Sequence, residues 1–285
     1  MLGLLALAVG VTLQVTPQAS AGQRQPTGST ATDTADRETR DQAAPAAISP
    51  PPANATFDYQ IGGAYPPPSG VRVVSRDRED PPAAGLYNIC YINAFQTQPQ
   101  ETAWWKSNHD DLLLRDASGR YVIDSAWNEI LLDTRTDAKR TRLAAIVNGW
   151  VDGCAARGFH AVEPDNIDSY GRSRGLLTQS GAVAYLELLA DHAHQAGLAI
   201  AQKNSTELGV RGRDVGLDFA VAEECARYDE CDAYTRVYGT NVIVIEYTDK
   251  AFAKACRTVG GTLSVVRRDL NVTRPGSRTY RYDPC

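Results

Sequence analysis

Three carboxylates lie within a few residues of one another at the end of a short apolar run. The stretch reads HAVEPDNIDSY (160–170) and contains Glu163, Asp165 and Asp168. A single acidic residue after a strand is usually only the cap of the next helix. A group of carboxylates can instead transfer protons, attack a substrate or bind a metal ion. The stretch is therefore a candidate active-site segment.

Similar apolar runs recur along the chain, and helical patterns lie between most of them. The runs are nearly continuous, which indicates parallel strands buried on both faces. Eight strands alternating with helices predict a (β/α)8 TIM barrel that forms a single domain. Residues 71–77 are either an accessory ninth strand or one of the eight, in which case 129–136 is not a barrel strand. The candidate strands are 57–63, 87–95, 129–136, 159–166, 197–204, 217–224, 241–248 and 262–269.

Each of these runs carries polar side chains at or near its C-terminal end. In a TIM barrel the C-terminal ends of the strands form the rim that holds the active site. So many polar groups at one rim favour an active site over helix capping alone. These residues are Asp58, Gln60, Asn93, Asp133, Asp165, Lys203, Glu223, Glu246 and Asp269.

Composition limits the class of protein and its partners. The chain has 285 residues, 43% of them hydrophobic and 22% charged, as in globular proteins with a core. A net charge of −5 without a basic block argues against nucleic acid as a partner. We expect a monomer.

The N-terminal part differs in kind from the rest. Residues 1–21 predict a signal peptide, with an apolar run and a small-x-small site at Ala19–Ala21; the alternative is an N-terminal anchor. Residues 22–55 predict a disordered linker, and 56–285 the barrel. The expected product is secreted and has no stable membrane insertion after cleavage.

Six cysteines in an exported chain suggest disulfides. Cys225 and Cys231 bracket a short loop, and Cys256 with Cys285 would fasten the C-terminus. For the remaining two, Cys90 and Cys154, a bridge and two buried thiols both stay open. No cysteine or histidine spacing is a metal signature, so neither a metal nor a cofactor is expected.

Several segments resemble glycoside hydrolase family 114, in the family's order. They are FDYQIGG, CYINAF, GFHAVEPDNIDSY, LLTQSGAVAYLELLADHAHQAGLAIAQKN, DFAVAEECARYDEC and VIVIEY. The resemblance covers residues 57 to about 247, and 110–136 looks like a bacterial subgroup. It implies a (β/α)8 fold, endo-α-1,4-polygalactosaminidase activity and an amino-sugar polysaccharide as substrate.

The resemblance also assigns the two carboxyl groups that glycosidic bond cleavage requires. Asp165 would be the nucleophile and Glu223 the acid/base, with Glu224 as the competitor for the second role. Strand alternation places Glu223 on the same face as Val221 and Glu224 on the other. The resemblance matches Glu223 to the family's acid, and this favours Glu223.

The other rim residues are predicted to contact the substrate. Glu163 shares the face of Asp165 one layer deeper, where it either contacts substrate or is a buried partner of Lys203 or Arg268. Trp104, Trp105 and Trp127 are either a glycan platform or structural. The rivals to an enzyme of this kind are a non-catalytic carbohydrate-binding barrel and a metal-dependent hydrolase. The predicted substrate-binding residues are Asp58, Tyr59, Glu163, Asn166, Lys203, Asn204, Glu246 and Tyr247.

Overall fold

The computed structural model describes residues 48–285, whose central feature is a barrel of eight parallel strands surrounded by helices. The strands are β1 (Phe57–Gln60), β2 (Val73–Asp77), β3 (Tyr87–Asn93), β4 (Ile123–Asp124), β5 (Glu129–Ile130), β6 (Ala161–Asp165), β7 (Ala199–Lys203), β8 (Phe219–Glu223), β9 (Val242–Glu246), β10 (Ser264–Arg268) and β11 (Tyr282–Pro284). The helices are α1 (Thr102–Asn108), α2 (Asp137–Ala156), α3 (Ser169–Arg172), α4 (Gln179–Gln195), α5 (Arg211–Asp214), α6 (Cys231–Tyr238) and α7 (Asp249–Thr258).

The sheet order confirms the predicted barrel and settles which segments build it. The parallel strands follow the order β1-β2-β3-β6-β7-β8-β9-β10, and β1 lies beside β10. β11 extends the sheet by antiparallel pairing with β10. Residues 73–77 are thus one of the eight strands, although the Pro-rich segment that links them to β1 contains no helix.

The prediction of a barrel strand at 129–136 is therefore wrong. Only Glu129–Ile130 forms a strand there, and it pairs antiparallel with Ile123–Asp124 in a separate hairpin. The apolar residues that suggested a barrel strand, Leu131 and Leu132, are buried beneath the rim loops instead. The apolar character of a short run does not show whether it forms a barrel strand or packs beneath a loop.

Side chains alternate between two core layers, as expected for strands covered on both faces. Phe219 and Val221 of β8 fill the barrel interior, whereas Ala220 and Ala222 pack beneath the helices. Threonine side chains cap the N-termini of α2 and α4: the hydroxyl of Thr178, for example, accepts a hydrogen bond from the backbone N–H of Gly181 at 3.1 Å.

Three disulfides fasten the barrel. Cys225–Cys231 closes the loop that follows β8, and Cys256–Cys285 ties the C-terminus to α7, as predicted. Cys90 and Cys154, left open by the sequence, form a third bridge between β3 and α2.

The predicted signal peptide (1–21) and residues 22–47 of the predicted linker lie outside the described residues. Residues 48–55 contact the barrel: the hydroxyl of Tyr87 donates to the carbonyl of Ser49 at 2.6 Å, and the N–H of Ala55 donates to the hydroxyl of Ser264 at 2.9 Å. Across 48–285, no helix is both long and apolar enough to cross a membrane.

Candidate active site

A cavity of about 310 Å³ opens at the C-terminal rim of the barrel, and we call it the rim cavity. Its volume is at the lower end of the range of small-molecule sites, roughly 300–1,000 Å³. On one side the chain after β1 approaches the 270–272 segment so closely that a Cβ on Gly62 would lie 2.3 Å from the carbonyl oxygen of Val272. The polar residues that line it are Tyr91, Glu129, Asp165, Asn166, Asp168, Arg172, Lys203, Asn204, Glu223, Tyr247 and Asn271.

Asp165 is the last residue of β6, and its carboxylate is held by three donors. The hydroxyl of Tyr91 donates to Oδ2 at 2.7 Å and the N–H of Asn166 to Oδ1 at 2.7 Å, while Lys203 Nζ lies 3.3 Å from Oδ1. Burial by itself raises the pKa of this carboxyl, but Lys203, Tyr91 and the Asn166 N–H together hold it below its ordinary value. Asp165 is therefore ionised at neutral pH.

Glu223 is the last residue of β8 and faces the same cavity. Asn204 Nδ2 donates to its Oε2 at 2.9 Å, the hydroxyl of Tyr247 donates to its Oε1, and Lys203 Nζ lies 3.3 Å from Oε2. Asn204 also accepts the backbone N–H of Glu223 at 2.9 Å, so one side chain orients both the main chain and the carboxyl group. The carboxyl group is thus held by polar donors.

Glu224 does not share this position. Its backbone has φ +58°, which ends the strand, and its side chain pairs with Arg227 at 2.6 Å. It does not line the rim cavity. Glu223 therefore faces the rim cavity and Glu224 does not, as the alternation of side chains along the strand predicted.

Lys203 links the two carboxylates, and this sets a limit on their separation. Its Nζ lies 3.3 Å from Asp165 Oδ1 and 3.3 Å from Glu223 Oε2, so these two oxygens are no farther apart than twice 3.3 Å. Retaining glycosidases have carboxyl groups about 5–5.5 Å apart and inverting ones about 6.5–9.5 Å. The limit accommodates the retaining distance and leaves out nearly all of the inverting range.

A buried polar layer supports Lys203 from below. Glu163 is fully buried; its oxygens accept from Tyr59 at 2.8 Å and Ser75 at 2.7 Å, and Lys203 Nζ is 3.2 Å away. Burial alone would lower the pKa of Lys203, but Asp165, Glu223 and Glu163 raise it well above its ordinary value. Lys203 therefore stays charged. Glu163 was predicted either to contact substrate or to be a buried partner of Lys203 or Arg268. In the structure it is a buried partner of Lys203.

The predicted substrate-binding residues separate into three groups. Asn166, Lys203, Asn204 and Tyr247 line the rim cavity, whereas Tyr59 and Glu163 lie in the layer below it.

Asp58 and Glu246 do not line the cavity. Asp58 is buried in an ion pair with Arg268 at 3.0 Å and accepts from Gln60 and Tyr65. Glu246 is buried on the outer face of β9, where it accepts the N–H of Ala226 at 2.8 Å. Both side chains therefore make contacts inside the fold and are not available to a substrate in the cavity.

Tyr91 and Glu129 are among the cavity residues that were not predicted as site residues. Tyr91 lies two positions before Asn93 on β3, and that spacing is the signal that it faces the same side as Asp165. Glu129 lies on the hairpin that was assigned to the barrel. Of the tryptophans, Trp105 is fully buried, Trp104 lies outside the rim cavity, and Trp127 lines it.

The residues do not form a site for a metal ion. Within residues 48–285, no three His, Cys, Asp or Glu side chains are grouped in that way. Lys203 already occupies the position between Asp165, Glu223 and Glu163.

Two solved structures are similar to this chain in fold. Ega3 of Aspergillus fumigatus, crystallised in complex with galactosamine, is 21% identical, has a TM-score of 0.67, and the match covers 84% of this chain and 98% of Ega3. The glycoside hydrolase domain of PelA from Pseudomonas aeruginosa is 17% identical, with a TM-score of 0.55 and coverage of 80% and 98%. No curated protein matches the chain.

The model of one protein family matches nearly all of the folded part and assigns the chain. Residues 37–283 match the model of glycoside-hydrolase family GH114. The rim cavity contains carboxyl groups at the ends of two barrel strands, Asp165 and Glu223. This chain belongs to glycoside hydrolase family GH114.

Proposed function

We propose that this glycoside hydrolase cleaves an α-linked, galactosamine-containing polysaccharide with retention of configuration. Asp165 is the nucleophile and Glu223 the acid/base. The observation that carries the proposal is the single ammonium group of Lys203 between the two carboxylates, which keeps them close together in one cavity. The galactosamine bound to Ega3 supports the choice of sugar.

In the first step the ionised Asp165 attacks C1 of the sugar and forms a glycosyl ester. Glu223 donates its proton to the glycosidic oxygen, which leaves as a hydroxyl group. In the second step Glu223 takes a proton from water, the water oxygen attacks C1, and Asp165 is released as a carboxylate. Each carboxyl group returns to its starting state.

Lys203, Tyr91 and Asn204 position these two groups. Lys203 and Tyr91 stabilise the charge of Asp165 before attack, and Asn204 fixes the direction of Glu223. The three disulfides favour an oxidising environment, which agrees with a secreted enzyme.

The test is digestion of matched polysaccharides. The purified chain is incubated with α-1,4-linked galactosamine polymer, with its N-acetylated form and with neutral α-linked polymers. Mass spectrometry of the products gives the sugar and the pattern of cleavage, and NMR of the first product formed gives its anomeric configuration. We expect oligomers of galactosamine with the α configuration. An initial β product would contradict retention, and cleavage of neutral polymers alone would contradict the substrate.

A further inference from the structure

The hairpin of β4 and β5 forms one wall of the rim cavity and is firmly anchored. The N–H of Thr97 donates to the carbonyl of Ile130 at 2.9 Å, which ties the hairpin to the segment after β3. On the other strand, Asp124 forms an ion pair with Arg172 at 2.7 Å. The backbone of the hairpin is thus anchored at the edge of the cavity.

Glu129, at the start of β5, presents a free acceptor to that cavity. The residue is only 8% exposed, and its Oε2 accepts from Asn93 Nδ2 at 2.9 Å. Its Oε1 accepts no hydrogen bond from residues 48–285 and stays open to the cavity. A ligand bound in the cavity can therefore donate to this oxygen without displacing a protein partner.

The charges around the cavity specify which kind of donor is missing. Asp165 and Glu223 both pair with Lys203, and Asp168 pairs with Arg172 at 2.7 Å. Of the carboxylates that line the cavity, Glu129 alone has no ion pair within the described part of the chain. The missing partner is therefore a cation.

The position of Glu129 relative to Asp165 fits a particular cation. Asn93 accepts from Asn166 Nδ2 at 3.0 Å while donating to Glu129, and Asn166 is bonded through its backbone to Asp165. A short polar chain thus connects the two carboxylates. Galactosamine carries its amino group on C2, next to the C1 atom that the nucleophile attacks.

We propose that Glu129 binds the ammonium group of the amino sugar and selects galactosamine over N-acetylgalactosamine at the reacting unit. N-acetylation removes the positive charge and adds an acyl group, so Glu129 would lose the ion pair and face a single neutral N–H donor on a bulkier substituent. The proposal rests on the proposed function and names a specificity residue for the same site.

Trp127 supports this assignment from the same hairpin. It lies two residues before Glu129, is 51% exposed and lines the rim cavity. An exposed indole can pack on the face of a sugar ring and attract a nearby ammonium group.

The ionisation of Glu129 should make the preference for the amino sugar depend on pH. Burial raises its pKa to about 7; Asn93 and Arg172 act in the opposite direction, and Asp165 and Asp124 add to the rise. Below pH 7 the free enzyme therefore protonates Glu129, and its attraction for an ammonium group declines. The ratio of rates on the two sugars isolates this effect, because Asp165 and Glu223 act on both.

The experiment measures kcat/KM at pH 7 on α-1,4-linked galactosamine oligosaccharides and on the same oligosaccharides after N-acetylation. Glu129→Gln should lose at least tenfold on the amine substrate and change less than twofold on the acetylated one. Glu224→Gln is the matched control, since Glu224 is a rim glutamate outside the cavity, and both rates should stay within twofold. From pH 7 to pH 5 the preference of the wild type for the amine should fall, and that of Glu129→Gln should stay flat.

Circular dichroism and thermal unfolding confirm that each variant is folded; Glu129→Met, which keeps the length of the side chain without its charge, replaces Glu129→Gln if the latter does not fold. Equal losses on both substrates, or a pH-dependent preference that survives the substitution, would overturn the role of Glu129 alone. A wild-type enzyme that cleaves only acetylated or neutral polymers would overturn the proposed substrate and the Glu129 assignment together.

Discussion

Lys203 Nζ lies 3.3 Å from Asp165 Oδ1 at the floor of the rim cavity, where the lysine side chain is 1% exposed and the aspartate side chain 16%. A buried carboxylate without a cation would take up a proton, because desolvation disfavours the charged form. The ion pair prevents this and keeps the nucleophile ready to attack. When Asp165 becomes an ester its charge disappears, and Lys203 then faces Glu223 and Glu163 alone.

Lys203→Met should therefore alter both stability and the pH profile. Removing one partner of a buried ion pair leaves uncompensated charge, which costs about 3–5 kcal/mol in the free energy of unfolding. The pKa of Asp165 should rise without the cation, so the acid limb of kcat/KM should move to higher pH. Chemical denaturation and a pH–rate profile measure these effects. An unchanged acid limb would show that Lys203 does not control the ionisation of Asp165.

Asp165→Asn should abolish turnover while the protein stays folded. The amide is nearly isosteric and can still accept from Tyr91, but it cannot form the glycosyl ester. We expect a loss of at least a thousandfold in kcat, with binding of galactosamine oligosaccharides retained by calorimetry. Glu224→Gln serves as the control. Activity within tenfold of the wild type would remove Asp165 from the nucleophile position.

The Cys225–Cys231 bridge should matter more for activity than for stability. It closes a loop with a sequence separation of 6 directly after Glu223, whereas Cys256–Cys285 closes one of 29 at the C-terminus. Chain entropy predicts about 2 kcal/mol for the short loop and about 3–4 kcal/mol for the longer one. Replacing both cysteines of each bridge by serine, in two separate variants, compares them.

The short-loop variant should show the larger loss of kcat and the smaller loss of unfolding free energy. The C-terminal variant should show the reverse, since its bridge lies away from the rim cavity. Equal effects on kcat would mean that the loop after Glu223 does not depend on its disulfide.

Much of the site follows from strand periodicity alone. A strand buried on both faces reads as a continuous apolar run, and its last polar residue lies on the rim. Alternation then orients that residue: Phe219 and Val221 face the barrel interior, so Glu223 does too. Local patterns of this kind need no knowledge of distant parts of the chain.

The partners of rim residues depend on contacts across the whole chain and could not be predicted in the same way. Asp58 was expected at the substrate, but Arg268, 210 positions away, neutralises it inside the fold. Glu246 follows the same apolar pattern as its neighbours yet faces the outer layer. Glu129 enters the cavity only because its hairpin packs on the segment after β3.

Glu129 should also reduce the stability of the free enzyme above neutral pH. Its pKa is about 7 in the folded protein against an ordinary value of 4.5, so the folded state binds this proton more tightly than the unfolded state. The stabilisation that the bound proton provides is present at low pH and is lost as the pH rises through 7. Glu129→Gln should raise the melting temperature relative to wild type at pH 8 and change it little at pH 5. A pH-independent difference would mean that burial does not shift this carboxyl.

Glu223→Gln should slow hydrolysis according to the leaving group of the substrate. Natural glycosidic oxygens leave poorly and need the proton of Glu223, so turnover of oligosaccharides should fall at least a thousandfold. An aryl α-galactosaminide with an acidic phenol needs little protonation, and its first step should be nearly spared. The glycosyl ester on Asp165 then accumulates, because no base activates water, and azide should rescue the second step by attacking C1 without one. Pre-steady-state release of the phenol and detection of the glycosyl azide measure the two steps separately.

Glu224→Gln should show neither effect, since its carboxyl group lies outside the cavity and pairs with Arg227. If Glu224→Gln shows both effects and Glu223→Gln neither, the acid/base is Glu224, and the strand end must reorganise when substrate binds.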